Sequence, residues 1–104
     1  MKITKFDWIS EAGMEAELIV SDGNHKCLVF SQPCKIRLNE TLVEPLFAMN
    51  VENLMLADEN VNEKIVKTND SYFSHCCIAR VLDMNEAIVC IGGILIQLES
   101  AIPG

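Results

Sequence analysis

The sequence has no apolar run long enough to cross a membrane. A spanning helix needs about 18–20 consecutive apolar residues. The longest stretch here, Ala87 to Ile96, is interrupted by Gly92 and Gly93. Cations are also scarce, with eight Lys and Arg against fifteen Asp and Glu and a formal net charge of −7. Such a field repels nucleic acid and anionic membranes at long range and favours approach by basic partners. Only three prolines and five glycines are present. They form no linker, and no repeat or low-complexity tract divides the 104 residues, so residues 1–104 read as a single small domain.

A secretion signal is not expected either. Met1 to Trp8 carries two lysines but no continuous apolar core, and Asp7 and Glu11 follow early. A cytoplasmic location and reduced thiols are therefore expected for Cys27, Cys34, Cys76, Cys77 and Cys90, an odd number. Enzyme signatures are equally absent. The chain contains no Walker A loop, G-x-G-x-x-G, G-x-S-x-G, H-E-x-x-H or C-x-x-C. The Gly92-Gly93 pair lies inside a strand-like run and reads as a bulge or bend, not as a phosphate loop. No catalytic residue and no cofactor are expected.

What is present is apolar mass in short β-prone runs. Half of the residues are hydrophobic, enough for a core. Residues 2–9 read as a strand with imperfect alternation. Met14 to Val20 and His25 to Phe30 flank Asp22-Gly23, a hairpin signal expected to form a type I′ turn. Gln32-Pro33 ends the second strand, because Pro lacks the ladder donor. Lys35 to Leu38 alternates as a half-buried strand should. Leu46, Phe47 and Met49 suit a short helix or a loop plug, and Val51 to Ala57 and Lys64 to Lys67 read as strands. Tyr72 to Leu82 and Ala87 to Leu98 read as two long strands joined at Asp83 to Glu86. The expected fold is all-β, or mainly β with one short helix: a small antiparallel barrel or sandwich built from hairpins. The terminal Pro103-Gly104 resembles the start of a connection, which leaves open whether a closing strand is absent from this chain.

Three constellations bear on function. The first is a doubled His-x-Cys. His25 and Cys27, and His75 and Cys77, would each share one face of a strand. If the two strands were neighbours, the four side chains could hold zinc, with Cys34 as a spare donor. Zinc ligands usually sit on tight turns at other spacings, so core cysteines and strand-end histidines are the competing reading. The second is aromatic: Phe6, Trp8, Phe30, Phe47, Tyr72 and Phe73 could serve an OB-like single-strand nucleic-acid binder. The scattered cations and the core's demand for aromatics argue against it. The carboxylates Glu15 and Glu17 read as a solvated strand face.

The third is the charge map. From Leu38 through Glu63 there is no Lys or Arg. The stretch holds Glu40, Glu44, Glu52, Asp58, Glu59 and Glu63 among Leu42, Val43, Leu46, Phe47, Met49, Leu54 and Met55. A solubilising acidic surface explains this pattern, and so does a partner-binding surface with a carboxylate rim. The leading expectation is a non-catalytic interaction domain, acidic and inhibitor- or immunity-like, with a basic protein partner or a homo-oligomeric form. A small metal- or thiol-dependent protein is the alternative from a different class. Thiol titration of denatured, unreduced protein should count all five cysteines. A count of three or one would place the chain in an oxidising compartment.

Overall fold

A computed structural model of the chain describes residues 1–103. The expected turn at Pro103-Gly104 reaches beyond them. All regular elements among the described residues are strands: β1 (Lys2–Ser10), β2 (Glu15–Ser21), β3 (Lys26–Ser31), β4 (Leu46–Ala48), β5 (Lys64–Lys67), β6 (His75–Ile78), β7 (Arg80–Asp83), β8 (Ile88–Ile91) and β9 (Ile94–Leu98). They form three sheets in the orders β1-β2-β3, β4-β9-β8-β7 and β5-β6. All pairings are antiparallel except β4 with β9. The fold is all-β and built from hairpins; its sheets pack as a sandwich and do not close into a barrel. No helix among the described residues is long and apolar enough to cross a membrane.

The first sheet shows why these residues make strands. In β2 every second residue, Ala16, Leu18 and Val20, is fully buried, while those between reach the surface. A period of two is what a pleated strand with one covered face requires. The imperfect alternation of β1 has a specific cause. The register with β2 shifts between Ile3 and Lys5, leaving Thr4 as an extra residue. This bulge reverses the phase, so Ile3 faces inward opposite Val20 and the even-numbered Phe6 and Trp8 face inward opposite Leu18 and Ala16. Phe6 and Trp8 meet edge to face at 4.9 Å, and the Arg37 guanidinium lies 5.5 and 5.3 Å from their centroids.

Two apolar clusters form the core. Ile3, Ala16, Leu18, Val20 and Cys34 make the first; Cys27, Val89, Ile91, Ile94 and Ile96 make the second. Met1, Val29 and Leu46 pack against both, so the sheets share one interior.

Several expected elements differ. The Asp22 hairpin is present, but its loop has four residues, Asp22 to His25, closed by Asp22 N–H donating to the His25 carbonyl (3.2 Å). Only Gly23 takes a positive φ there (99°), so the turn is not type I′. Ala87 to Leu98 is a hairpin, not one strand: Ile91 pairs with Ile94 across Gly92-Gly93. Gly92 has φ 57°, and Gly93 lies outside the left-handed region, as a type II′ turn demands. Tyr72 to Leu82 is broken at Ala79 into β6 and β7, which belong to different sheets.

Leu46 to Ala48 is a strand, where a helix or plug was expected. Lys35 to Leu38 and Val51 to Ala57 form no strand. Around the first of these, backbone groups bond to non-ladder partners: Cys34 N–H donates to Met14 O (2.8 Å) and Asn39 N–H to Ile3 O (2.8 Å). Replacing Leu18 with Ala should cost about 2–5 kcal/mol, the range for a buried Leu truncation. Ile19→Ala, on the opposite face, should cost less than half of that. Urea unfolding of both variants checks the facing; equal losses would contradict it.

Candidate functional site

Two hairpin turns far apart in sequence meet at one carboxylate. Asp22 Oδ1 accepts hydrogen bonds from the backbone N–H groups of Asn24 (2.8 Å) and His25 (2.6 Å). Its Oδ2 accepts from Gly93 N–H (2.7 Å) and from His25 Nδ1 (3.1 Å). Partial burial pushes the Asp22 pKa up, but the bonds from Gly93, His25 and Asn24 and from the His25 ring outweigh it, and hold the carboxyl well below the usual range. The first two bonds follow from local chemistry, since Asp commonly bonds backbone N–H groups within its own turn. The Gly93 bond spans 71 residues.

The approach is close enough to dictate the residue at position 92. A Cβ there would overlap Asp22 Oδ2 and come within 2.8 Å of His25 Nδ1. On the other side of the turn, Glu63 Oε1 accepts from Gly92 N–H (2.9 Å), and Glu63 Oε2 lies 3.9 Å from Arg80 Nε. Two acids thus cap the two successive N–H groups of the β8–β9 turn. An open cleft of about 550 Å³ lies alongside, between Lys2, Thr4, Thr41 and Gly93. Asp22, the one carboxylate lining it, is committed to four hydrogen bonds.

The doubled His-x-Cys does not converge. His25 is turned to Asp22. His75 uses both ring nitrogens elsewhere: Nδ1 lies 3.0 Å from Phe73 O, and Nε2 accepts from Leu28 N–H (3.2 Å). Among the described residues no three His, Cys, Asp or Glu side chains are grouped to hold a metal ion. Cys27 faces the second core cluster, and Cys34, the proposed spare donor, is fully buried in the first. Burial, with a contribution from Cys77, pushes the Cys27 thiol up to about 12. Desolvation and neighbouring Cys76 push Cys77 up to about 11. Such thiols carry little thiolate at neutral pH and are poor nucleophiles. All five cysteines are free.

The acidic stretch divides. Glu40, Glu44, Glu52, Asp58 and Glu59 are exposed, and among the described residues none enters an ion pair or a side-chain hydrogen bond. Glu63 is half-buried and committed to Gly92, so it belongs to the turn cap, not to a rim. A groove of about 300 Å³ runs between the 56–63 segment and Ile78 to Arg80. Leu56, Val61 and Ile78 supply apolar walls, and Asp58 and Glu59 supply charge. Glu15 and Glu17 lie on the outer face of β2, where Gln32 Nε2 donates to Glu15 (3.2 Å). The nearby Glu17 carboxylate raises the Tyr72 pKa.

The chain matches no protein-family model, no curated protein and no solved structure.

The turn junction makes two expectations. Gly92→Ala should cost about 2 kcal/mol or more, since it adds strain at positive φ and displaces a bonded carboxylate. Asp22→Asn should flatten the acid limb of the stability curve. The depressed Asp22 pKa means its contribution is complete above its ordinary value of 3.8 and fades as pH falls below it. Urea midpoints from pH 7 to pH 3 test both. A variant that loses stability in parallel with wild type on acidification would remove Asp22 from this role.

Proposed function

We propose that this chain is a non-catalytic, cytoplasmic interaction domain that docks a basic protein partner through the face carrying the 38–63 stretch, as an inhibitor- or immunity-type protein would. One observation carries the reading. The four most exposed large apolar side chains, Val43 (78%), Leu56 (75%), Met55 (74%) and Met49 (70%), all lie in this one segment, and Phe47 adds to them. Exposed apolar groups gathered in one region mark contact surfaces more often than scattered ones do.

Unpaired carboxylates stand among them at Glu40, Glu44, Glu52, Asp58 and Glu59. That arrangement suits an apolar centre inside a charged rim. The charge also selects the kind of partner. A second copy would bring −7 against −7, whereas a basic surface is drawn in and oriented. The groove beside Asp58 and Glu59 has apolar walls for the stem of a Lys or Arg and carboxylates for its head, while the Arg80 that also lines it lies 3.9 Å from Glu63.

The test reverses Glu52, Asp58 and Glu59 to Lys together. Partners cross-linked to wild type in native lysate are identified and purified, and association rates are then measured at low and at physiological salt. The triple variant should associate at least about tenfold more slowly, with the gap widest at low salt. Its urea midpoint should stay near that of wild type. Unchanged partners at unchanged rates, or a partner that is itself acidic, would overturn the reading.

A further inference from the structure

His75 stands at the junction of two sheets with both ring nitrogens used. Its Nδ1 lies 3.0 Å from the carbonyl oxygen of Phe73, which can only accept, so Nδ1 carries the proton. Its Nε2 lies 3.2 Å from the backbone N of Leu28, which can only donate, so Nε2 presents its lone pair. The two contacts together fix one tautomer of the neutral ring. Leu28 lies on β3, at the edge of the first sheet that β2 does not cover. The imidazole therefore occupies a ladder donor that an added strand would otherwise use. It also holds the β5–β6 hairpin against β3, beside the Phe30–Phe73 contact (5.9 Å between centroids).

We propose that His75 is an acid-sensitive latch: protonation of its ring at Nε2 breaks the bond from Leu28 N–H and releases the β5–β6 hairpin from the edge of β3. A proton at Nε2 leaves two donors facing each other across that contact. Among the described residues no carboxylate contributes to the His75 shift. On β5, the charged group opposite the ring is Lys67, its register partner. On β3 the neighbouring side chains are exposed Lys26 and the buried, neutral Cys27 thiol. The 68–74 loop presents the Phe73 carbonyl, while Asp70 and Tyr72 are exposed. On β6 itself the adjacent groups are Cys76 and Cys77.

The sign follows from the direction of the shift. Burial lowers the His75 pKa from its ordinary value of 6.5; the Phe73 carbonyl raises it in part, and Lys67 lowers it further. A ring that binds its proton less readily folded than unfolded contributes fully above about pH 6.5. That contribution is lost as pH falls toward the folded value.

Amide hydrogen exchange, corrected for the intrinsic pH dependence of exchange, is the direct test. Between pH 7.5 and pH 5, protection at Leu28 should fall at least about tenfold, while protection at Leu18 and Ile96 stays within about twofold. Long-range nitrogen–proton correlation should show the Nδ1–H tautomer of His75 at pH 7.5 and its titration with the same midpoint as the Leu28 change. In His75→Gln, which cannot titrate, protection at Leu28 should not vary with pH. An Nε2–H tautomer, constant protection in wild type, or a pH-dependent loss that persists in His75→Gln would each overturn the latch. The wild-type measurements decide the question even if the variant folds poorly.

Discussion

The carboxylate of Asp22 is the contact on which the relative placement of the two main sheets depends. It belongs to the β2–β3 turn yet accepts the N–H of Gly93 in the β8–β9 turn. Each hairpin could form locally; the bond between their tips fixes how one sheet lies over the other. Its consequences run outward. Because the oxygen sits where a Cβ would sit, position 92 must be glycine. Because that glycine adopts positive φ, the turn stays two residues long and Ile91 can pair with Ile94. That pairing in turn places both isoleucines, each fully buried, at the centre of the second core cluster. A charged group half a chain away thus determines how the apolar interior closes. Four hydrogen bonds together outweigh its desolvation and keep it ionised.

Much of this architecture is legible in the residues, and the reasons for the exceptions are physical. β2, β3, β5 and the two outer hairpins follow from alternation and turn chemistry, which are local. The bulge at Thr4 is visible in β1 only as broken alternation, since the pairing partner determines which residue is extra. Ala79 carries no turn signal, yet the chain leaves one sheet and enters another there. That switch depends on which strands find room beside β8. Leu46 to Ala48 becomes a strand because β9 offers a parallel edge, a tertiary opportunity that composition does not reveal. Lys35 to Leu38 alternates correctly and still forms no ladder, because its flanking backbone groups are satisfied at Met14 and Ile3.

The histidines show the limit of reading sites from spacing. Two His-x-Cys pairs promise four donors on two strand faces, but only His75 and Cys77 share a strand, since His25 lies in the loop before β3. Whether the pairs meet depends on what else competes for each ring. His25 is the last residue of the turn that Asp22 organises, so a charged acceptor lies in reach before any partner from β6 does. His75 meets an uncovered N–H at a sheet edge and a carbonyl two residues back. A turn carboxylate captures the first ring, and backbone groups, which no side-chain motif displays, capture the second. In Asp22 and Glu63 the same blindness runs the other way: one reads only as a turn residue and the other as part of a carboxylate rim until the turn that both cap is known.

The handling of edges ties these observations together. The outer edge of β1 is covered near its start, where Ile3 N–H donates to Glu40 O and Asn39 N–H donates to Ile3 O. The outer edge of β3 is stopped by an imidazole. β7 is exposed along its length but brings both charges of Arg80 and Asp83 and a register shift beside β8, features that discourage edge pairing. Each of these three edges thus carries a feature that disfavours pairing with an added strand. The 43–56 segment breaks the pattern. It leaves large apolar side chains uncovered and guards them only with carboxylates, which repel a like surface and attract an opposite one. The chain thus carries pairing-averse features at these strand edges while the apolar side chains of that one segment stay bare.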